Sequence, residues 1–139
     1  MDYQPPVGYV LKQAQSLLRL RMEQELAPLH LTVSQYSCLH FLKREPGASA
    51  AALARGTFVT RQSMNSMLQM LQDRGLVQRP DAVENGRALP TTLTATGADA
   101  LDAAQARVDE VEQRMLSGLE QPDQAALLRT LTACVSALE

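Results

Sequence analysis

The chain has 139 residues and a mass of 15.2 kDa, the size of one ordinary domain. Its 45% apolar and 4% aromatic content, with no Trp, calls for an aliphatic core, while 20% charged residues and a net charge of −2 exclude a polybasic tail protein and a highly charged disordered chain. No apolar run approaches the roughly 20 residues of a membrane helix, the start Met1-Asp2-Tyr3-Gln4-Pro5-Pro6 does not read as a signal peptide, and two Cys are too few for a disulfide scaffold, so a soluble cytoplasmic protein is expected.

Val7, Val10, Leu11, Ala14, Leu17, Leu18, Met22 and Leu26 step by three and four, which predicts an amphipathic helix of about five turns ending near Pro28. A second helix is expected from an N-cap at Thr32 to about Lys43, burying Cys38, Leu39 and Leu42, before Pro46-Gly47 breaks it. Ser49 can cap a short helix over residues 50–55, after which Gly56 is expected to turn the chain. Thr60 can cap a longer helix whose apolar face is Met64, Met67, Leu68 and Leu71, with Gly75 ending it and Arg74 in its last turn. Two helices joined by a turn of about four residues have the spacing of a helix-turn-helix. Leu76–Arg79 then reads as a strand, Asn85-Gly86 as a tight turn, and residues 88–93 as a returning strand whose Pro90 suits an edge. A two-stranded ribbon in that position is a wing. Thr94 caps a further helix over about 96–119, with Leu101, Val108, Val111, Met115 and Leu119 inward. A last helix over about 123–138 carries the stripe Leu128, Leu131, Val135 and Leu138.

The fold class is therefore mainly α with a small β-wing: a winged helix-turn-helix over about residues 31–95, flanked by helices over about 7–28 and 96–138. The flanking helices have more apolar surface than so small a lobe can cover. Burial against a second copy, as a twofold homodimer, is the simplest resolution. Charge divides along the same lines. Residues 1–42 sum to zero, residues 43–90 to +3 and residues 91–139 to −5. The basic middle suits an anionic partner.

The chain resembles the MarR family of bacterial transcription regulators. The resemblance rests on Leu31-Thr32, Gln35-Tyr36, Leu53-Ala54, Val59-Thr60-Arg61-Gln62-Ser63, Leu71, Gly75-Leu76-Val77, Arg79, Gly86-Arg87, Leu93-Thr94 and Gly97, in this order over about residues 7–138. It implies one MarR-type domain that dimerises through its N- and C-terminal helices and binds a palindromic operator in double-stranded DNA. It further implies repression relieved by a small aromatic or phenolic effector bound between the dimer helices and the reading lobe. Two positions depart from the family pattern. Gln69 stands where many members carry an acid that pairs with the wing arginine, and Asn85-Gly86 replaces an Asp before Arg87.

In such a fold the second helix of the motif lies in the major groove with its N-terminal residues at the base edges. Arg61, Gln62, Asn65, Ser66 and Gln69 lie opposite its apolar face. Arg can bond guanine bidentately, and Gln or Asn adenine. Ser49, Thr60 and Ser63 are expected to donate to phosphates, and Arg87 at the wing tip to reach the minor groove. Arg74 is expected to serve the end of its helix and Arg79 to form a structural ion pair.

Arg19, Tyr36 and His40 could together hold an aromatic acid, with Arg19 pairing its carboxylate. The plainer reading, and the preferred one, is a half-buried Tyr and a satisfied His at a helix contact. His30 is expected as a loop or capping residue. Cys38 and Cys134 are expected as buried small hydrophobes without a redox role. No metal-ligand spacing, cofactor motif or nucleophile-base arrangement is present, so neither a metal nor an enzyme is expected. The rival class is a winged-helix interaction module that does not bind DNA. It would present an apolar face where Arg61, Gln62 and Asn65 stand.

Overall fold

The computed structural model describes residues 2–80 and 90–139. Helix α1 covers Val7–Leu26 and runs into a single 3₁₀ turn, Ala27–Leu29. His30 closes that turn in the left-handed region, at φ 57°, and is the capping residue expected. Helix α2, Val33–Arg44, opens with a complete capping box. The Gln35 N–H donates to Thr32 Oγ1 at 3.1 Å, and the Thr32 N–H donates to Gln35 Oε1 at 3.0 Å. Helix α3, Ala50–Thr57, is capped by Ser49, and helix α4, Arg61–Asp73, by Thr60. Gly75, at φ 73°, ends α4. Its N–H reaches Gln72 O and the next N–H, of Leu76, reaches Leu71 O, both at 2.9 Å, which satisfies the last carbonyls of the helix.

Strand β1, Val77–Gln78, pairs antiparallel with β2, Thr92–Leu93, in the register Val77–Leu93 and Gln78–Thr92. β1 is shorter than the sequence suggests, and of the described residues 90–93 of the expected returning strand only Thr92 and Leu93 form β2. A bridge the sequence does not announce joins Ala48 to Thr91, so the base of the wing is stitched to the start of α3. The Asn85-Gly86 turn and Arg87 lie outside the described residues. Thr94 caps α5, Ala95–Leu116, and α6 covers Gln121–Leu138.

The core belongs to the reading lobe. Leu39, Leu42, Leu53, Met64, Leu68, Leu71 and Val77 are fully buried, joined by Leu26 from α1 and by Leu101 and Ala104 from α5. Burying these aliphatic groups supplies most of the stabilisation, at about 1.5–3 kcal/mol for each large side chain. The arms are barer than expected. Of the α1 stripe only Leu26 is buried, while Val7, Val10, Leu11 and Leu17 are exposed. Met115 and Leu119 are exposed rather than inward, and so are Leu128, Leu131, Val135 and Leu138. Cys134, expected to be buried, is exposed too, whereas Cys38 is buried. The reason is common to all of them: one chain supplies too few neighbours to enclose α6 and the far halves of α1 and α5.

Gly56 also departs from expectation. It lies within α3, and the turn is made by Phe58 in the left-handed conformation at φ 59°. What Gly56 provides is space, because a Cβ there would overlap the Phe41 ring. Gly97 has a similar task, since a Cβ there would meet the carbonyl of Leu76. Its absence lets the first turn of α5 lie directly on the backbone entering β1.

Candidate nucleic-acid interface

The surface singled out by the sequence is built on α3 and α4. Three residues separate the helices, one fewer than expected. Thr57 Oγ1 donates to Leu53 O at 2.7 Å and the Val59 N–H reaches Ala54 O at 3.1 Å, so α3 ends tightly. Thr60 then restarts the helix. Its Oγ1 accepts the Ser63 N–H at 3.0 Å and its hydroxyl donates to Ser63 Oγ at 2.9 Å. That leaves the Ser63 hydroxyl proton free to point outward. Ser49 Oγ accepts the Ala52 N–H at 3.1 Å and likewise keeps a proton to donate. Both caps therefore sit where a helix N-terminus presents unpaired N–H groups and a partial positive charge, an arrangement suited to phosphate.

Met64, Leu68 and Leu71 anchor α4 in the core, with Met67 partly covered beside them. The anchor fixes which residues face away. Arg61, Gln62, Ser63, Asn65, Ser66 and Gln69 are all exposed. Among the described residues the side chains of Arg61, Gln62, Asn65 and Ser66 make no hydrogen bond within the chain. Gln69 differs: its Nε2 donates to Asp73 Oδ1 at 2.9 Å, which occupies it along its own helix. Gln35 steadies the other flank by donating from Nε2 to Met70 Sδ at 3.0 Å. An open groove of about 440 Å³ runs there, lined by Thr32 and Gln35 of the α2 start and by Gln62, Ser63 and Ser66 of α4.

Two other arginines differ from their expected roles. Arg74 donates from Nη1 to His30 O at 2.7 Å, tying the end of α4 to the loop before α2 instead of serving its own helix end. Arg79 forms no ion pair among the described residues, and its Nε is buried without a partner among them.

The supposed effector residues are only partly assembled. Tyr36 and His40 of α2 meet on Gln105 of α5, a residue that the sequence reading did not single out. Tyr36 Oη donates to Gln105 Oε1 at 2.7 Å, and His40 Nδ1 lies 3.2 Å from the same oxygen. Gln105 Nε2 in turn donates to Asp109 Oδ1 at 2.8 Å. The signal available was a carboxamide on the edge of the inward stripe Leu101, Ala104 and Val108. Arg19 does not join them and instead holds Glu23 at 3.2 Å. A cavity of about 300 Å³ opens elsewhere between α1 and α5. Its walls are Ala14, Leu17, Leu18, Val111 and Met115, and Arg21 and Arg114 stand at it.

A helix-turn-helix with an exposed polar reading face, followed by an antiparallel two-stranded wing, defines a winged helix-turn-helix protein. A model of the MarR family matches residues 30–88. The HTH-type transcriptional repressor Rv2887 of Mycobacterium tuberculosis is 42% identical over 126 residues, which are 91% of this chain and 91% of that protein. The crystal structure of Rv2887 in complex with DNA matches with a TM-score of 0.79 at 36% identity, covering 94% of this chain and 98% of that one. Its complex with salicylic acid matches with a TM-score of 0.77 at 40% identity, covering 94% and 97%. This chain belongs to the MarR family of transcription regulators.

Proposed function

We propose that the chain is a single-domain, homodimeric, sequence-specific repressor that binds a palindromic duplex and is released by a small aromatic acid. The observation that carries this reading is the outward face of α4. Arg61, Gln62, Asn65 and Ser66 are held there by a buried methionine-leucine face and have no hydrogen-bond partner among the described residues. Polar groups of these types serve base readout, and Ser49, Ser63 and the helix N-termini serve phosphate, whereas Thr60, expected as a phosphate donor, spends its one hydroxyl proton on Ser63 Oγ and so aligns Ser63 instead. Gln69 takes a supporting part, since Asp73 already engages it. Arg87, outside the described residues, is assigned to the minor groove on its sequence position alone. An interaction module would show apolar side chains on this face, so DNA is favoured as the partner.

The second copy is supported by the bare arms. Leu17, Leu128, Leu131 and Val135 are exposed on helices that turn only part of their apolar surface to their own chain. Apolar patches of this kind mark protein interfaces, and a twofold partner doubles the basic lobe over one duplex.

The effector class is supported by the complex of Rv2887 with salicylic acid. The cavity at Arg21 and Arg114 suits such a ligand better than Arg19, Tyr36 and His40. It pairs an apolar wall with Arg114 and with Arg21, which donates only to the neutral Gln24 amide at 3.1 Å among the described residues, whereas Tyr36 and His40 already share Gln105 and Arg19 is held by the Glu23 carboxylate. The test is to select a duplex from a random pool and titrate the purified chain against it in rising salt and salicylate. Binding as a dimer, weakened steeply by salt and by salicylate, is expected. Absence of any preferred duplex would overturn the reading.

A further inference from the structure

Phe58 is the C-cap of α3, and it does two unfavourable things at once. Its backbone sits at φ 59°, a region that non-glycine residues enter only at a cost and that glycine enters freely. Its side chain is 92% exposed, so it recovers none of that cost by packing inside the chain. Nothing among the described residues calls for Phe here, because a glycine would make the same turn without strain and without putting an aromatic ring in water. The benefit must come from outside the chain. Such strain persists where the surroundings, or a function, favour it.

The position says what lies outside. Only Val59 separates Phe58 from Thr60, the N-cap of α4, so the two Cα atoms lie within about 7 Å of each other. Ser63 and the N-terminus of α4, which Thr60 caps, are the groups assigned to phosphate above. The apolar faces left for a second copy lie on α1, α5 and α6, while α3 packs against α2 and α4. A ring beside a bound phosphate meets the deoxyribose of the same strand, whose faces are apolar.

Resting on the reading of α4 as a DNA-binding helix, we propose that Phe58 packs on the sugar face of the DNA backbone beside the phosphate held at the start of α4. It is a sequence-independent contact that sets how the helix enters the groove. A ring so used adds apolar burial and no charge, so it leaves counterion release unchanged.

The experiment compares the unsubstituted protein with Phe58→Gly and Phe58→Leu by fluorescence anisotropy, on a selected duplex and on an unrelated one, at several salt concentrations. Thermal unfolding is followed in parallel. Phe58→Gly should bind both duplexes about tenfold more weakly, as expected for losing roughly half of a buried phenyl group. The salt slope should not change, and Tm should rise by about 3 °C as the strain is relieved. Phe58→Leu should keep affinity within about threefold and gain no Tm, because it retains apolar surface and strain alike. Unchanged affinity for Phe58→Gly would overturn the proposal. A loss confined to the selected duplex would overturn it in favour of a base contact, and a lowered Tm would make Phe58 a structural residue. If the unsubstituted protein binds neither duplex, the reading of α4 fails and the proposal fails with it.

Discussion

The Tyr36 hydroxyl donates to Gln105 Oε1 at 2.7 Å, joining the first helix of the reading lobe to the long helix of the arm. Tyr36 is buried, so this acceptor is what reconciles its hydroxyl with the interior. The same oxygen faces His40 Nδ1, and Gln105 is therefore a shared anchor rather than one half of a pair. Truncating it strands two polar groups of α2. Gln105→Ala is expected to lower stability by about 1–3 kcal/mol in urea unfolding, and Tyr36→Phe by less, because it removes the buried hydroxyl with its need. Equal losses for the two would show that the hydroxyl and not the anchor matters.

Close backbone approach at Gly97 gives a second expectation. A Cβ there meets the Leu76 backbone, which β1 and the end of α4 hold in place. Gly97→Ala should cost about 2–3 kcal/mol by forcing the backbone apart. Gly56→Ala meets only the Phe41 ring, a half-buried side chain that can shift. Better helix propensity offsets that shift, and the substitution should lie within about 1 kcal/mol of neutral. Thermal unfolding of the two variants side by side checks the contrast.

Burial pushes the Cys38 thiol up from 9.0 to about 12. Burial also raises the Tyr36 phenol; its hydrogen bond to Gln105 works the other way, and Asp109 and Glu112 add to the rise. In both cases the folded state favours the protonated, neutral form. The associated stability is thus fully present below pH 9 and is lost as pH climbs from 9 towards 12. Unfolding free energy should fall across that window, and Cys38→Ala should flatten part of the fall while lowering the plateau. A thiol reagent at pH 8 should leave Cys38 unlabelled in the native protein and label it in urea. Fast native labelling of Cys38 would contradict its burial.

Much of the fold was legible because its signals are local. Thr32, Ser49, Thr60 and Thr94 all cap the helices assigned to them, and Gly75 ends α4 in the left-handed conformation. Periodicity located Met64, Leu68 and Leu71, and by subtraction the outward face of α4. Long-range geometry was not legible. Nothing near Arg74 in sequence points to His30 O, 44 residues away, and nothing near Tyr36 points to Gln105. The sequence suggests a turn former at Gly56, where the real demand is room for Phe41. An apolar stripe shows that a helix needs cover without showing what covers it, which is why Met115, Leu119 and Cys134 were expected inside and are exposed.

The effector assignment makes its own prediction. Arg21→Ala and Arg114→Ala should each weaken release by salicylate at least about tenfold while leaving duplex affinity near the unsubstituted value, since removing one charge-assisted hydrogen bond costs about 1.5–3 kcal/mol. Arg19→Ala should leave release unchanged. Isothermal titration with salicylate separates these outcomes, and a loss confined to Arg19→Ala would return the site to Arg19 of α1 with Tyr36 and His40 of α2.

The central claim is that the outward face of α4 reads bases, and Arg61 tests it most directly. The measurement is duplex affinity against salt for the unsubstituted protein and Arg61→Ala, on the selected site and on the same site with its guanines replaced. On the selected site Arg61→Ala is expected to lose about 1–3 kcal/mol, and replacing the relevant guanine should cost the variant little. Full affinity for Arg61→Ala, or an equal loss on every duplex with a smaller salt slope, would contradict base readout by this helix.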